Sequence, residues 1–231
     1  MDSIIEVVRC FENSNIIHVD GVINPTNDIE IIELELIYAD LETVSKRRER
    51  LKKQLKADKS LIKEDLVLEK IEKALNEGKS ARSLELTEEE KDIIKSLSLL
   101  TLKPLMYVAN VDEETIQDIE KNENFKKVKQ YAESQSAKVI PICVKLEEEI
   151  SSIESEDERK EFLEMMGLDK SGLDKLIIAS YDILGLMSYL TVRRNRSKSM
   201  DYKKRDKSTK SGIKDTFRYR KRVYKSRNRI I

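Results

Sequence analysis

The stretch that decides the fold of this chain is residues 101–113, TLKPLMYVANVDE. Its apolar run, residues 105–109, has the length of a β-strand, and Pro104 precedes it. A short apolar run bounded by turn-forming residues predicts a buried strand. The run ends in Asn110-Val111-Asp112-Glu113, so an amide and a carboxyl group follow directly after the strand.

An Asn at the carboxyl end of a strand, with an acid three residues later, is the pattern by which P-loop NTPases of the GTPase class bind a purine base. The usual form is Asn-Lys-x-Asp, and here Val111 replaces the Lys and Glu113 replaces the Asp. The Asn110 amide would hold the loop and the base, and Glu113 would accept hydrogen bonds from base N–H groups. The alternative is a helix N-cap at Asn110 with an acid in the first turn, which stabilises by about 0.5–2 kcal/mol.

The remainder of the chain predicts strands that alternate with helices. We expect further strands at residues 3–11 and 138–144, a loop at 13–27, and helices at 87–97, 125–134, 156–166 and 173–186. The helix at 87–97 opens with the capping box Thr87-x-x-Glu90. This alternation predicts an α/β fold with a parallel sheet of the P-loop NTPase (Rossmann-like) type.

A helical arm is expected between the first two strands. Seven residues there fall at alternating steps of three and four, the seam of a coiled coil: Leu34, Ile37, Leu41, Val44, Arg48, Leu51 and Leu55. After a break at residues 58–60, a second, antiparallel arm is supplied by Leu61, Leu68, Ile71 and Leu75, with Gly78 as its C-cap. We therefore expect an inserted α-helical coiled-coil hairpin. Its charged residues outside the seam form either a solvated surface or a docking arm for a large partner.

The order of segments resembles the YchF/Obg-like ATPase family of P-loop NTPases. The matching segments run almost without gaps from residue 2 to residue 191: 2–12, 15–19, 28–30, 33–36, 39–42, 100–104, 110–113, 139–143 and 161–163. The resemblance implies four segments. These are a G-domain segment at 1–27, the coiled-coil insertion at 28–98, the G-domain remainder at 99–191, and a basic tail at 192–231.

The resemblance also implies a function and a site. Intact members would bind ATP in preference to GTP, hydrolyse it slowly with Mg²⁺, and associate with ribosomes. Asn110, Val111 and Glu113 would bind the base, with Val111 packed against it. Cys143 matches the last nucleotide loop of the family, whose backbone N–H contacts the base. The alternatives for Cys143 are a small buried residue or a redox role.

The phosphate-binding motif of the family is not found in this sequence. None of the six Gly residues stands in a G-x-x-x-x-G-K pattern, whose backbone cradles phosphates while the Lys and a hydroxyl engage phosphate and magnesium. We therefore expect an internal fragment that is itself inactive and binds nucleotide weakly or not at all. The alternative is a non-catalytic module that binds RNA or the ribosome through the helical arm or the basic tail.

The tail at 192–231 holds 17 Lys or Arg and 3 Asp, whereas the preceding residues hold the other 27 basic and 41 acidic residues. With so few apolar residues the tail is not expected to fold alone. We assume codons typical of A-rich genomes and shift the reading frame by one base. Met200-Asp201 then yields Trp, and the translation around it allows a sequence similar to the small TGS domain that follows in the family. We expect either this frameshift or a polybasic arm that binds RNA with strong salt dependence.

Composition narrows the class of protein further. Charged residues make up 38% and aromatic residues 5%, which suits long solvated helices. Cys10 and Cys143 lie too far apart to indicate a disulfide framework or zinc site, and Cys10 is expected in the core. The lone His18 is expected at the surface or in packing. No catalytic or metal-ligating set is recognisable, and without a signal peptide or membrane-length apolar run we expect a cytoplasmic protein.

Overall fold

The structure is a computed structural model, and it describes residues 2–12, 23–55, 58–193 and 196–203. The chain divides into two compact units, Met1–Lys175 and Leu176–Ile231. No helix among the described residues is long and apolar enough to cross a membrane.

The first unit is built on a three-stranded parallel sheet. Its strands are β1 (Ile4–Arg9), β2 (Leu105–Asn110) and β3 (Lys138–Ile142), in the order β1-β2-β3. Val7 of β1 lies opposite Val108 of β2, which in turn lies opposite Ile140 of β3. The predicted α/β fold with a parallel sheet is confirmed, and each strand lies within its predicted range except that β2 includes Asn110.

Seven α-helices lie among the described residues. They are α1 (Pro25–Gln54), α2 (Ile62–Asn76), α3 (Glu88–Ile94), α4 (Glu123–Ser134), α5 (Val144–Ser152), α6 (Glu156–Met165) and α7 (Gly172–Leu184). The predicted capping box is present, since Thr87 Oγ1 accepts from the Glu90 N–H and the Glu90 carboxylate accepts from the Thr87 N–H. The helix it opens ends at Ile94 and continues as a 3₁₀ turn to Leu97.

One face of the sheet carries the core of the first unit. Alternate residues of β2 point to this face, where the fully buried Tyr107 and Ala109 pack with Phe125 and Val128 of α4 and with Ile29 of α1. Because side chains alternate along a strand, the neighbouring residues of β2, including Asn110, point to the opposite face.

The inserted arm is a hairpin of α1 and α2. Three residues of the predicted seam, Ile37, Val44 and Leu51, are almost fully buried at intervals of seven, whereas Leu34 is 43% exposed. They pack with Leu68 and other apolar residues of α2. α2 ends at Asn76 with Glu77 as its C-cap, and the predicted C-cap Gly78 is the next residue, whose φ of +73° is a conformation that glycine adopts without strain.

Ion pairs between the two helices fix the hairpin. Arg47 Nε lies 2.7 Å from Glu64 Oε1, and its second guanidinium nitrogen lies 2.9 Å from Glu64 Oε2. Arg48, which the heptad pattern places in the seam, contacts Asp65, Glu69 and Glu72 of α2. The seam therefore accommodates an arginine because α2 presents carboxylates to it.

A buried carboxylate joins α1 to the segment that leads into β2. Asp40 is 2% exposed, and its Oδ1 accepts from the Leu100 N–H at 2.8 Å. Its Oδ2 accepts from both the N–H and the hydroxyl of Thr101, each at 2.7 Å. Thr101 Oγ1 also accepts from the Ala81 N–H, so three separate segments meet at this point.

Glu6 lies half-buried on the core side of β1 and carries an unusual pKa. Its pKa is raised to about 7, chiefly by burial and then by the Glu33 and Asp28 carboxylates, while Arg82 acts to lower it. Glu33 is held on α1 by the Tyr131 hydroxyl, which donates to Glu33 Oε2 at 2.9 Å. Folding at neutral pH therefore brings the Glu6 and Glu33 carboxyl groups together.

This arrangement predicts a pH-dependent stability that Glu6 controls. Because the folded-state pKa is about 7 against a reference of 4.5, the folded chain binds more protons between these values, so its free energy of unfolding falls as pH rises. We expect Glu6→Gln to melt at a temperature close to that of the wild type near about pH 5 and at a higher temperature near about pH 8.

The matched control for Glu6→Gln is Glu35→Gln, which removes an exposed carboxylate from α1. Thermal melts followed by circular dichroism at both pH values measure the effect. A melting difference between Glu6→Gln and wild type that is the same at both pH values would show that Glu6 does not titrate in this range.

Several element boundaries differ from the sequence prediction, among them the following three. The predicted loop at 13–27 ends earlier, because Asn24 caps α1 and Pro25 occupies its first turn, where a missing N–H costs nothing. The strand at 138–144 ends at Ile142, and Val144 begins α5, a helix that was not predicted. The helix predicted at 173–186 is α7, which ends at Leu184.

The second unit contains a β-hairpin whose second strand lies in the tail, which was not expected to fold alone. β4 (Leu186–Arg193) pairs antiparallel with β5 (Arg196–Lys203), and the predicted start of the tail at residue 192 falls inside β4. The expectation that the tail does not fold alone considered side-chain burial only, whereas antiparallel pairing with β4 gives alternate residues of 196–203 backbone hydrogen bonds. Residues 204–231 lie outside the described part of the chain, and the division into four segments stays a prediction.

Candidate nucleotide-base site

Two neighbouring strands end side by side at the candidate site. Asn110 is the last residue of β2, and Cys143 follows the last residue of β3. Asn110 Oδ1 accepts a hydrogen bond from the Val144 N–H at 3.3 Å, which joins the two strand ends directly. Ligands of open α/β sheets bind at the carboxyl ends of the strands, and this is where these residues lie.

Asn110 does not act as an N-cap for the residues that follow it directly in sequence. Residues 113–115 form a turn, and it is Asp112 that caps this turn, with Oδ1 accepting from the Thr115 N–H at 2.8 Å. Asn110 instead engages the first N–H of α5, which is 34 residues away in sequence. Its side-chain oxygen therefore stabilises the start of α5, and its amide nitrogen takes no part in that hydrogen bond.

Val111 lies beneath the site with its side chain in the core. It is 2% exposed and packs with Phe125 and Val128 of α4 and other core residues. Its N–H donates to the Ile142 carbonyl at 2.9 Å, which extends the pairing between β2 and β3 by one residue. Val111 thus supports the loop, and its predicted packing against a base stays a prediction.

Glu113 is partly exposed and already paired. Its Oε1 lies 2.8 Å from Lys145 Nζ, and the hydrogen bond with Glu113 raises the pKa of Lys145. The Lys145 side chain is 71% exposed, so this ion pair is screened by water and is weak. Lys145 was not predicted from the sequence, because nothing in its local sequence shows that α5 begins beside Glu113.

Cys143 occupies the N-cap position of α5 and is buried, at 4% exposure. Burial raises the pKa of its thiol, against hydrogen bonds from the Leu146 and Lys145 N–H groups that lower it, and nearby Glu113 raises it further. A thiol with a raised pKa stays protonated and unreactive at neutral pH. Its surroundings therefore match the small buried residue better than the redox role.

A second helix holds α5 in place. The Glu147 carboxylate of α5 accepts from the Gly172 N–H at 2.6 Å and the Leu173 N–H at 3.0 Å, at the start of α7. A side chain at Gly172 would place its Cβ 2.9 Å from Ile142 Cγ2, so only glycine allows this close approach. The position of Cys143 is thus fixed by packing on both sides of it.

The other candidate residues do not join this site. Cys10 is buried at the end of β1, as predicted, and burial raises its pKa to about 12. His18 lies outside the described residues. In the part of the chain that the structure describes, no group of three or more His, Cys, Asp or Glu side chains could hold a metal ion.

Comparison with known proteins identifies relatives that carry the name YchF. No family model matches the chain. A Bacillus subtilis (strain 168) protein named ribosome-binding ATPase YchF is 46% identical over 205 residues, a match that covers 88% of this chain and 56% of that protein. The protein of the same name from Escherichia coli O157:H7 is 43% identical over 191 residues, covering 82% and 52%.

A solved structure has the same fold. The structure titled as the Schizosaccharomyces pombe YchF GTPase superposes with a TM-score of 0.78 at 32% identity, and the match covers 93% of this chain and 58% of that one. The chain spans about half the length of the curated relatives it matches. Sequence and fold agree, and the chain belongs to the YchF family of Obg-like ATPases.

Proposed function

We propose that the carboxyl ends of β2 and β3 bind the base of a purine nucleotide, and that the chain serves a YchF-type ATPase that acts on the ribosome. Asn110, Glu113 and the backbone at Cys143 contact the base, and Val111 supports their loop. The 231 residues alone are expected not to hydrolyse ATP, because their sequence holds no G-x-x-x-x-G-K motif for the phosphates.

One contact carries this proposal. The hydrogen bond between Asn110 and the Val144 N–H brings the base-reading motif and the Cys143 loop together, although they are more than thirty residues apart in sequence. The acidic acceptor Glu113 faces the same place, since its partner Lys145 is the second residue of α5. An amide, a carboxylate and backbone N–H groups at one strand end complement the donors and acceptors of a purine edge.

Whether the bound nucleotide is ATP or GTP can be measured directly. The curated relatives are named ATPases, whereas the solved relative is titled a GTPase. We propose ATP as the ligand, with Mg²⁺ required in the longer relatives through residues that this chain does not supply.

The Glu113 carboxylate gives the sharpest test of the base site. We expect Glu113→Ala to lower the affinity for ATP by about 10-fold or more, because a hydrogen bond to a charged group contributes about 1.5–3 kcal/mol. Equilibrium binding of fluorescent ATP and GTP analogues, with unlabelled nucleotides as competitors, measures both the affinity and the preference.

The matched control is Glu114→Ala, which removes the exposed carboxylate next to Glu113. It carries the same change of charge and is expected to leave the ATP affinity unchanged. Equal losses in the two variants would indicate a general electrostatic effect and would contradict the assignment of Glu113 to the base.

The ribosome is the proposed partner because both curated relatives carry ribosome binding in their names. Co-sedimentation of the chain with purified ribosomes through a sucrose cushion tests this association. Recovery of the chain only in the supernatant, at a low salt concentration that preserves ribosomes, would contradict it.

A further inference from the structure

A lysine occupies a helix position that disfavours positive charge. Lys145 is the second residue of α5, and the N-terminal end of a helix carries partial positive charge, which favours acidic side chains there. The Lys145 Nζ lies 2.8 Å from Glu113 Oε1, and the hydrogen bond with Glu113 is the main cause of its raised pKa. The pair with Glu113 therefore compensates for the unfavourable position, and it ties Lys145 to the carboxylate of the candidate base site.

The start of α5 is held where this pair can form. Asn110 Oδ1 accepts from the Val144 N–H at 3.3 Å, directly before Lys145 in the chain. One turn further along α5, the Glu147 carboxylate accepts from the Gly172 N–H at 2.6 Å. The backbone of Lys145 is therefore fixed relative to the end of β2, and its side chain spans the distance to Glu113.

The other acidic groups near the pair do not replace Glu113. Asp112 Oδ1 accepts from both the N–H and the hydroxyl of Thr115, so it is engaged within its own turn. Glu149 lies one turn after Lys145 on α5 and also raises the pKa of the lysine, but less than Glu113 does. The ammonium group of Lys145 therefore stays protonated and has Glu113 as its main partner.

The pair of Lys145 and Glu113 offers a base one free acceptor and one donor group. An ionised carboxylate has two acceptor oxygens, whereas an ammonium group has donors only. Because Lys145 engages Glu113 Oε1, Oε2 is the oxygen that remains for a base, and the ammonium group keeps further N–H donors. Water screens the pair in the free chain, and a base that covers it would exclude this water and strengthen the attraction.

Adenine and guanine present different edges to such a pair. Adenine has one donor, the N6 amino group, beside one acceptor, N1. Guanine has two adjacent donors, N1–H and the N2 amino group, beside the acceptor O6. Two adjacent donors need both oxygens of a carboxylate, whereas the edge of adenine needs one carboxylate oxygen and one donor.

We propose that Lys145 makes the base site prefer adenine over guanine, by occupying one oxygen of Glu113 and donating to adenine N1. The inference rests on the proposed binding of a purine base at the ends of β2 and β3, and it identifies the residue that selects between the two purines. Guanine at this pair leaves its N2 amino group without an acceptor, and a desolvated donor without a partner lowers affinity. Lys145 is thus a specificity-determining residue that acts together with Glu113.

The test compares ATP, GTP and ITP on the full 231-residue chain. The base of ITP is guanine without its N2 amino group, so the ratio of GTP to ITP affinity reports whether that group has an acceptor. Lys145→Met removes the ammonium group, and the control Lys160→Met removes the same charge from an exposed position of α6. Competition with a fluorescent ATP analogue measures the three affinities, and circular dichroism checks that each variant is folded.

In the wild type we expect ATP to bind most tightly and GTP to bind no more tightly than ITP. In Lys145→Met we expect the ratio of ATP to GTP affinity to fall by about 10-fold, and GTP to bind about 10-fold more tightly than ITP, because both oxygens of Glu113 are then free. Lys160→Met is expected to behave as the wild type does. Equal changes in the two variants, or wild-type ratios in Lys145→Met, would overturn the proposal.

The Glu113→Ala background shows whether Lys145 acts through Glu113. In that background Lys145→Met is expected to leave the ratio of GTP to ITP affinity unchanged, and a change there would also overturn the proposal. If the wild type binds ATP and Lys145→Met keeps its ratios, the inference fails while base binding at the strand ends stands. If the wild type binds none of the three nucleotides, the proposed base site fails, and the assignment of Lys145 fails with it.

Discussion

Asp40→Ala is expected to destabilise the first unit by about 3 kcal/mol or more, since it leaves two buried N–H groups and a hydroxyl without their acceptor. The carboxylate is 2% exposed and accepts from Leu100 and Thr101, sixty residues further along the chain. For a chain of this size the melting temperature is expected to fall by about 6–12 °C. Thermal and urea unfolding followed by circular dichroism measure the loss.

The control for Asp40→Ala is Glu42→Ala, two residues further along α1. Glu42 is exposed and pairs with Lys46 on the same helix, so its removal is expected to leave the melting temperature nearly unchanged. Asp40→Asn is expected to fall between the two, because its amide keeps one acceptor oxygen but presents a donor to the other hydrogen bonds. An Asp40→Ala variant as stable as wild type would show that this network does not join α1 to β2.

Leu68→Ala is expected to destabilise the helical hairpin by about 2–5 kcal/mol, because it opens a cavity in a close-packed core. Leu68 is fully buried and belongs to the same cluster as Ile37, Val44 and Leu51 of α1. Leu66→Ala removes the same side chain from the same helix at a position that is 59% exposed, and it is expected to change stability little.

Urea unfolding of the Leu68→Ala and Leu66→Ala variants, followed at the helical circular dichroism signal, distinguishes a packed hairpin from two solvated helices. If the two variants lose the same stability, the hairpin has no specific core.

Local sequence patterns were enough to predict the strands and several helix ends. The apolar run before Asn110 predicted β2, and Thr87-x-x-Glu90 and Gly78 predicted a helix start and a helix end that the structure contains. Each of these signals acts within a few residues. The start of α5 at Val144 was missed because the group that engages its first N–H, Asn110, belongs to a different strand.

Long-range electrostatics could not be predicted in the same way. Nothing in the local sequence shows that Asp40 meets Thr101, that Lys145 meets Glu113, or that Glu6 lies near Glu33. The charged residues of α1 look alike in sequence, and only their partners on α2 separate those that hold the hairpin from those that face outward. The hairpin of β4 and β5 was not predicted, because its pairing joins residues on both sides of the expected tail boundary at residue 192.

The proposed binding of a purine base where β2 and β3 end can be observed by titrating ATP into the ¹⁵N-labelled chain and following its backbone amide signals. We expect concentration-dependent shifts at residues 110–113 and 143–145 that GTP produces more weakly, that persist in Glu114→Ala, and that Glu113→Ala reduces. Saturating ATP that leaves these amides unmoved, or that shifts only amides elsewhere, would contradict the account.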